Sequence, residues 1–146
     1  MIDENLNQEC VNAIFQNAHI AMQSISNLLP ECSSVDMKEE LSDEYDGYQK
    51  FIGEFTKFIT EKGYEQKDVN VMKKAMLYTS VKMNVLTDDS RSHTADMMVK
   101  GTVMGITELK QLLSRSDGQV DEEILRFAKD LLSLEESYEK RLKNLL

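Results

Sequence analysis

Apolar residues recur every three or four positions from the start of the chain. Ile14, Ala18, Ala21, Ile25 and Leu28 share one helical face, with Val11, Met22 and Leu29 beside them. This spacing predicts an amphipathic helix from about Glu4 to Leu29. Pro30 closes it, because proline pushes the residue before it out of the α region. Ser33, Ser34 and Asp36 then offer capping oxygens for a second helix, from about Val35 to Lys62. Its inward face reads Met37, Leu41, Tyr45, Tyr48, Ile52, Phe55 and Ile59. Gly63 is placed to end it, since glycine enters the left-handed region at little cost. So short a connector makes these two helices an antiparallel hairpin.

From Val69 to Leu113 the helical pattern persists for 45 residues, too long to match its partners. Thr87-Asp88-Asp89-Ser90-Arg91-Ser92 is rich in short polar side chains that compete for backbone hydrogen bonds, and it marks a break. The expectation is a shorter connecting helix, about Asn70 to Leu86, followed by a third bundle helix from about Ser90 to Ser114. One long kinked helix is the alternative. Ser116-Asp117-Gly118 reads as a turn. The fourth helix spans about Asp121 to Leu145, with Ile124, Phe127, Ala128, Leu131, Leu134, Tyr138 and Leu142 inward. No internal repeat, low-complexity tract or linker divides the chain. The pattern gives an all-α, single-domain four-helix bundle over residues 1–146.

Composition narrows the function. There is one proline, no tryptophan and a formal net charge of −9. An acidic surface repels phosphate backbones, so nucleic acid is not expected as a partner. No run of 18 apolar residues occurs, and no membrane span is expected. The amino terminus has neither a basic region nor an apolar stretch of signal type, so a cytoplasmic location is expected. Cys10 and Cys32 are separated by 22 residues of mostly helix, roughly 30 Å at ~1.5 Å per residue. A disulfide needs Cα atoms within ~7 Å, so both thiols are expected to be free.

Two acidic residues stand out against this background. Glu44 falls among Leu41, Tyr48, Phe51 and Phe55 on the second helix. Glu135 falls among Ala128, Leu131, Tyr138 and Leu142 on the fourth. An inward carboxylate costs several kcal/mol unless it is protonated, paired or metal-bound. Each opens a three-residue step, Glu44 to Gly47 and Glu135 to Tyr138. Carboxylate-bridged metal bundles carry Glu-x-x-His at such places, since i and i+3 project toward one ion. Both histidines of that pattern are missing here. The chain has only His19 and His93, and each projects away from its helix's core stripe. Glu44 and Glu135 are therefore candidate metal ligands of a degenerate site for a single Fe, Mn or Zn ion, with Asn17 or a tyrosine as a further ligand. The structural alternative is that the two carboxyls lie inward at comparable depth, held by hydroxyls of Tyr45, Tyr48 or Tyr138, and that no cofactor is bound.

The third bundle helix is apolar on two sides. Its main stripe is Ala95, Met98, Val99, Thr102, Ile106, Leu109 and Leu113. The opposite face carries His93, Met97, Gly101 and Met104, with Gly105 at the edge. Glycines four apart allow another helix to approach closely, and methionine adapts to contact surfaces. This face either meets a second copy of the chain or is covered by another helix of the same chain. His93, with Asp89 and Asp96 nearby on the helix, reads as a solvated ion-pair cluster. No nucleophile elbow, Cys–His pair or glycine-rich phosphate loop is present.

The segments Ser80–Leu86 and Ser92–Ile106 resemble small uncharacterised bacterial proteins of the ferritin-like four-helix-bundle type. The resemblance implies a ferritin-like fold and no established activity. Some related bundles place a glutamate after the glycine of the third helix, and that position here is Thr102. The resulting expectation is a non-enzymatic ferritin-like bundle acting through protein–protein contact, as a homodimer through Met97, Gly101 and Met104. The metal-binding or redox bundle is its alternative, and a small-molecule binder with a cavity lined by methionine and aromatic residues is a third reading.

Overall fold

A computed structural model describes residues 2–66 and 90–146. The expected connecting helix, Asn70 to Leu86, and the residues Thr87 to Asp89 of the expected break lie outside the described residues. Four long helices account for nearly all of the remainder: α1 Glu4–Leu28, α2 Val35–Lys62, α3 Arg91–Ser116 and α4 Glu122–Lys143. No strand occurs among the described residues.

Each helix begins on a side-chain cap. The Asp3 carboxylate accepts from the amides of Asn5 and Leu6 at 3.0 and 3.2 Å. Ser34 accepts from Met37, Ser90 from His93 and Asp121 from Glu123. These oxygens satisfy amides that have no partner within the helix. Gly63 ends α2 at φ +80°, as its lack of a Cβ permits. Helix α1 stops at Leu28, one residue before the expected end, and Leu29–Glu31 form a single 3₁₀ turn that contains Pro30. Helix α3 runs on to Ser116, beyond the expected Ser114. The reason is tertiary: Ser116 is buried, with its hydroxyl 3.3 Å from the Cys10 thiol. Cys10 and Cys32 are free and buried.

Contacts at the two ends fix the helix directions. At one end Asn7 donates to the Tyr64 hydroxyl at 3.2 Å and accepts from the Asp121 amide at 2.9 Å. The start of α1, the end of α2 and the start of α4 thus meet. At the other end Arg91 lies 3.8 Å from Asp36 and donates to the Leu145 carbonyl at 3.1 Å. The starts of α2 and α3 meet there with the end of α4. Helices α2 and α3 therefore run in the same direction, while α1 and α4 run in the other. The tightest pairings are α1 with α2 and α3 with α4.

The core runs the length of the bundle. Ile14, Ile25, Leu41, Phe55, Leu109, Ile124 and Leu131 are essentially inaccessible to solvent. Glu44 and Phe51 are buried on α2 as expected, but the buried stripe is rotated so that Phe58 joins it while Tyr45 and Ile52 are only half-buried. An aromatic cluster accounts for this rotation. Phe127 of α4 sits 5.1 Å from Phe55 and 4.9 Å from Phe58 between ring centroids, and such pairing adds to area burial. On α3, Leu112 is buried in place of Leu113.

Candidate functional site

Midway along the bundle, each helix delivers one polar group to a shared interior point. Glu135 of α4 is 2 % exposed. The Tyr48 hydroxyl of α2 donates to its Oε2 at 3.0 Å. Asn17 of α1, also buried, donates through Nδ2 to the Gly105 carbonyl of α3 at 3.1 Å. Gly105 makes the approach possible. A Cβ there would stand 2.8 Å from Glu135 Oε1 and 3.4 Å from Asn17 Nδ2. Two acceptors in this cluster, Glu135 Oε1 and Asn17 Oδ1, have no hydrogen-bond partner among the described residues.

Glu44 belongs to a neighbouring cluster. It is 1 % exposed, and its Oε2 has no hydrogen-bond partner among the described residues. One turn earlier on α2, Glu40 accepts from Arg141 Nε of α4 at 3.1 Å. Arg141 also pairs with Asp43, and its guanidinium lies 5.3 Å from the centre of the Tyr138 ring. Tyr138 points its hydroxyl at Gly47, where a Cβ would lie only 1.8 Å away. The step from Glu44 to Gly47 thus faces the step from Glu135 to Tyr138. A tyrosine on one helix occupies the space that a glycine leaves on the other. Between the two clusters the Tyr48 and Tyr138 rings meet at 5.4 Å.

Burial governs the protonation of both carboxyls. It pushes Glu44 up to about 10, with the adjacent Glu40 carboxyl adding to the effect. It pushes Glu135 up to about 8, against the lowering effect of the Tyr48 hydrogen bond. Tyr48, also buried and close to both carboxyls, is raised well above the usual phenol value. A protonated carboxyl in an apolar interior is the expected response when no cation compensates the charge.

The two candidate residues are thus both interior, in adjacent clusters, with Tyr48 between them. No group of three or more His, Cys, Asp or Glu side chains placed to hold a metal occurs among the described residues. A dinuclear centre takes four carboxylates and two histidines, and this donor set does not fit one. His19 instead stacks on Phe15 at 4.1 Å between rings. Asp96 pairs with Lys100 at 2.9 Å, and Asp89 lies outside the described residues. The partnerships of Asn17 with Gly105 and of Arg141 with Glu40 and Asp43 were not anticipated from the sequence. The recurrence of acidic residues at 40 and 44, one helical turn apart, was the available signal for the second.

Beside Glu135 a cleft of about 280 Å³ opens between α1 and α3. Ile20, Ala21, Met97, Met98, Gly101 and Met104 form much of its wall, and Asn17, Tyr48 and Glu135 also line it. The face of α3 expected to meet a partner is therefore one wall of this cleft. Gly105 belongs to the interior, where Glu135 and Asn17 use the space it leaves.

No described helix is long and apolar enough to cross a membrane. The chain matches no protein-family model, no curated protein and no solved structure.

Proposed function

We propose that this chain is a non-enzymatic, ferritin-like helical bundle that acts through protein–protein contact, as a homodimer formed by the α3 face carrying Met97, Gly101 and Met104. The observation that carries this reading is the exposure of that face. Met104 on that face is 59 % exposed in the middle of a long helix, and Val103 on the adjacent flank of α3 is 40 % exposed. The other large apolar side chains exposed among the described residues, Ile2, Val35 and Leu146, sit at chain or helix ends. At a net charge of −9, two copies repel each other over most of their surface. A twofold arrangement would set this face against itself. The parallel course of α2 and α3 supports the ferritin-like part, since bundles of that type carry one long crossover connection.

The test is molar mass in solution by light scattering across a concentration series. Wild type should approach the dimer mass. Met104→Glu and Gly101→Leu should each shift it toward the monomer. A monomer at all concentrations, or a dimer indifferent to both changes, would reject the interface.

The second reading is a metal-binding or redox bundle that uses Glu44 and Glu135 at a single Fe, Mn or Zn ion. The unpartnered oxygens of Glu135 and Asn17 favour it, as both are hard donors. Stoichiometric metal in protein purified without chelator, lost in Glu135→Gln, would promote this reading over the first.

A further inference from the structure

We propose that the cleft between α1 and α3 binds a small organic amine, its ammonium group held by Glu135 Oε1 and Asn17 Oδ1 and its apolar body lying along Ile20, Met97, Met98 and Met104. The argument begins with the two unpartnered acceptors. Buried oxygens without donors are uncommon in folded proteins, and each carries a free-energy cost. Both belong to residues that line the cleft, and both side chains pack against Gly105 at its inner end. Each lacks a donor, so the complementary ligand group is one rich in N–H.

Charge gives the same answer. Among the described residues lining the cleft there is no Lys, Arg or His, and its acidic members are Glu135 and Glu108. A carboxylate ligand would find no cationic side chain there to pair with. An ammonium would meet one carboxyl within reach and a second nearby, in a chain of net charge −9.

Size and lining exclude the simplest alternative, a lone ordered water. The cleft holds about 280 Å³, near the lower end of the ~300–1,000 Å³ range of ligand pockets and far above the ~30 Å³ that one water occupies. Four apolar side chains on its walls call for an aliphatic or aromatic body. The methionines among them adapt to its shape.

The experiment is calorimetric titration of the full chain with hexylamine and with 1-hexanol, which have the same body and different heads. Hexylamine should bind at least tenfold more tightly than hexanol at pH 8. Glu135→Gln should reduce hexylamine to the hexanol level. Ala21→Phe, which fills the cleft without touching the carboxyl, should abolish both. Circular dichroism establishes that each variant is folded. If Glu135→Gln does not fold, the wild-type amine-to-alcohol ratio and Ala21→Phe still decide. Equal affinity for the two probes, no binding of either, or hexylamine binding unchanged in folded Glu135→Gln would each overturn the proposal. So would a stoichiometric metal ion at Glu135 that hexylamine does not displace. Met97 and Met104 also belong to the face proposed to dimerise, so light scattering on the same samples identifies the binding species: hexylamine binding by the monomer supports the cleft even where dimerisation fails.

Discussion

The hydroxyl of Tyr138 rests where a side chain at Gly47 would begin: a Cβ on that glycine would lie 1.8 Å from the hydroxyl oxygen and 3.1 Å from the ring carbon that bears it. This contact locks α2 to α4 between the two buried carboxyls. It joins the residues three positions after Glu44 and Glu135, so these two helix steps meet in a packing contact.

Gly47→Ala should therefore destabilise the protein by about 1–3 kcal/mol through overpacking, although alanine is the better helix former by about 1 kcal/mol. In a Tyr138→Phe background the same change should cost less, because the closest atom has been removed. Denaturant unfolding of the two single variants and the double variant measures the coupling. Additive effects would show that the contact does not constrain either residue.

Stability should fall as pH rises above the ordinary carboxylate range. Both glutamates are protonated in the folded state up to about 10 for Glu44 and about 8 for Glu135, whereas in the unfolded chain they ionise near ~4.3. Between these limits the folded state binds more protons than the unfolded state. The stabilising contribution is fully present below the unfolded pKa and is lost as pH climbs through the folded one. Each group should contribute a slope of about 1.4 kcal/mol per pH unit across its window. Urea midpoints between about pH 5 and pH 9 check this, and a flat profile or a rising one would contradict it.

Replacing both carboxyls by amides removes that dependence. Glu44→Gln with Glu135→Gln should leave stability at neutral pH unchanged or raise it, since an amide carries no ionisation cost in an apolar interior. The gain over wild type should be larger at about pH 9 than at about pH 6. A loss of several kcal/mol accompanied by loss of bound metal would instead identify the pair as ligands.

Arg141 ties α4 to α2 through Glu40 and Asp43 while lying over Tyr138. Its side chain is 39 % exposed and that of Glu40 only 12 %, so solvent screens part of the interaction. Arg141→Ala should cost about 1–2 kcal/mol, less than a fully buried pair would. Arg141→Lys should recover only part of the loss, because an ammonium cannot reproduce the two-pronged planar contact. Thermal unfolding of both variants gives the comparison.

The helices themselves were readable from the chain. Apolar periodicity, Pro30, Gly63, the capping oxygens around Ser34, the polar cluster ending at Ser92 and the turn at Gly118 placed the four described helices to within two residues at every boundary. These signals act through neighbours in sequence, so a one-dimensional reading captures them. The inwardness of Glu44 and Glu135 was equally accessible, because a helix face is defined by spacing alone. Other features depend on how the faces meet. The rotation that buries Phe58 answers to Phe127 on another helix. The extension of α3 to Ser116 answers to Cys10, 106 residues away in sequence. Gly105 reads as a surface glycine in sequence, yet Asn17 and Glu135 converge on it from α1 and α4. The separation of the two glutamates into adjacent clusters, one held by Tyr48 and the other beside Glu40 and Arg141, follows from the same packing. Spacing along one helix fixes which side chains point inward, and only packing among four helices fixes what they meet.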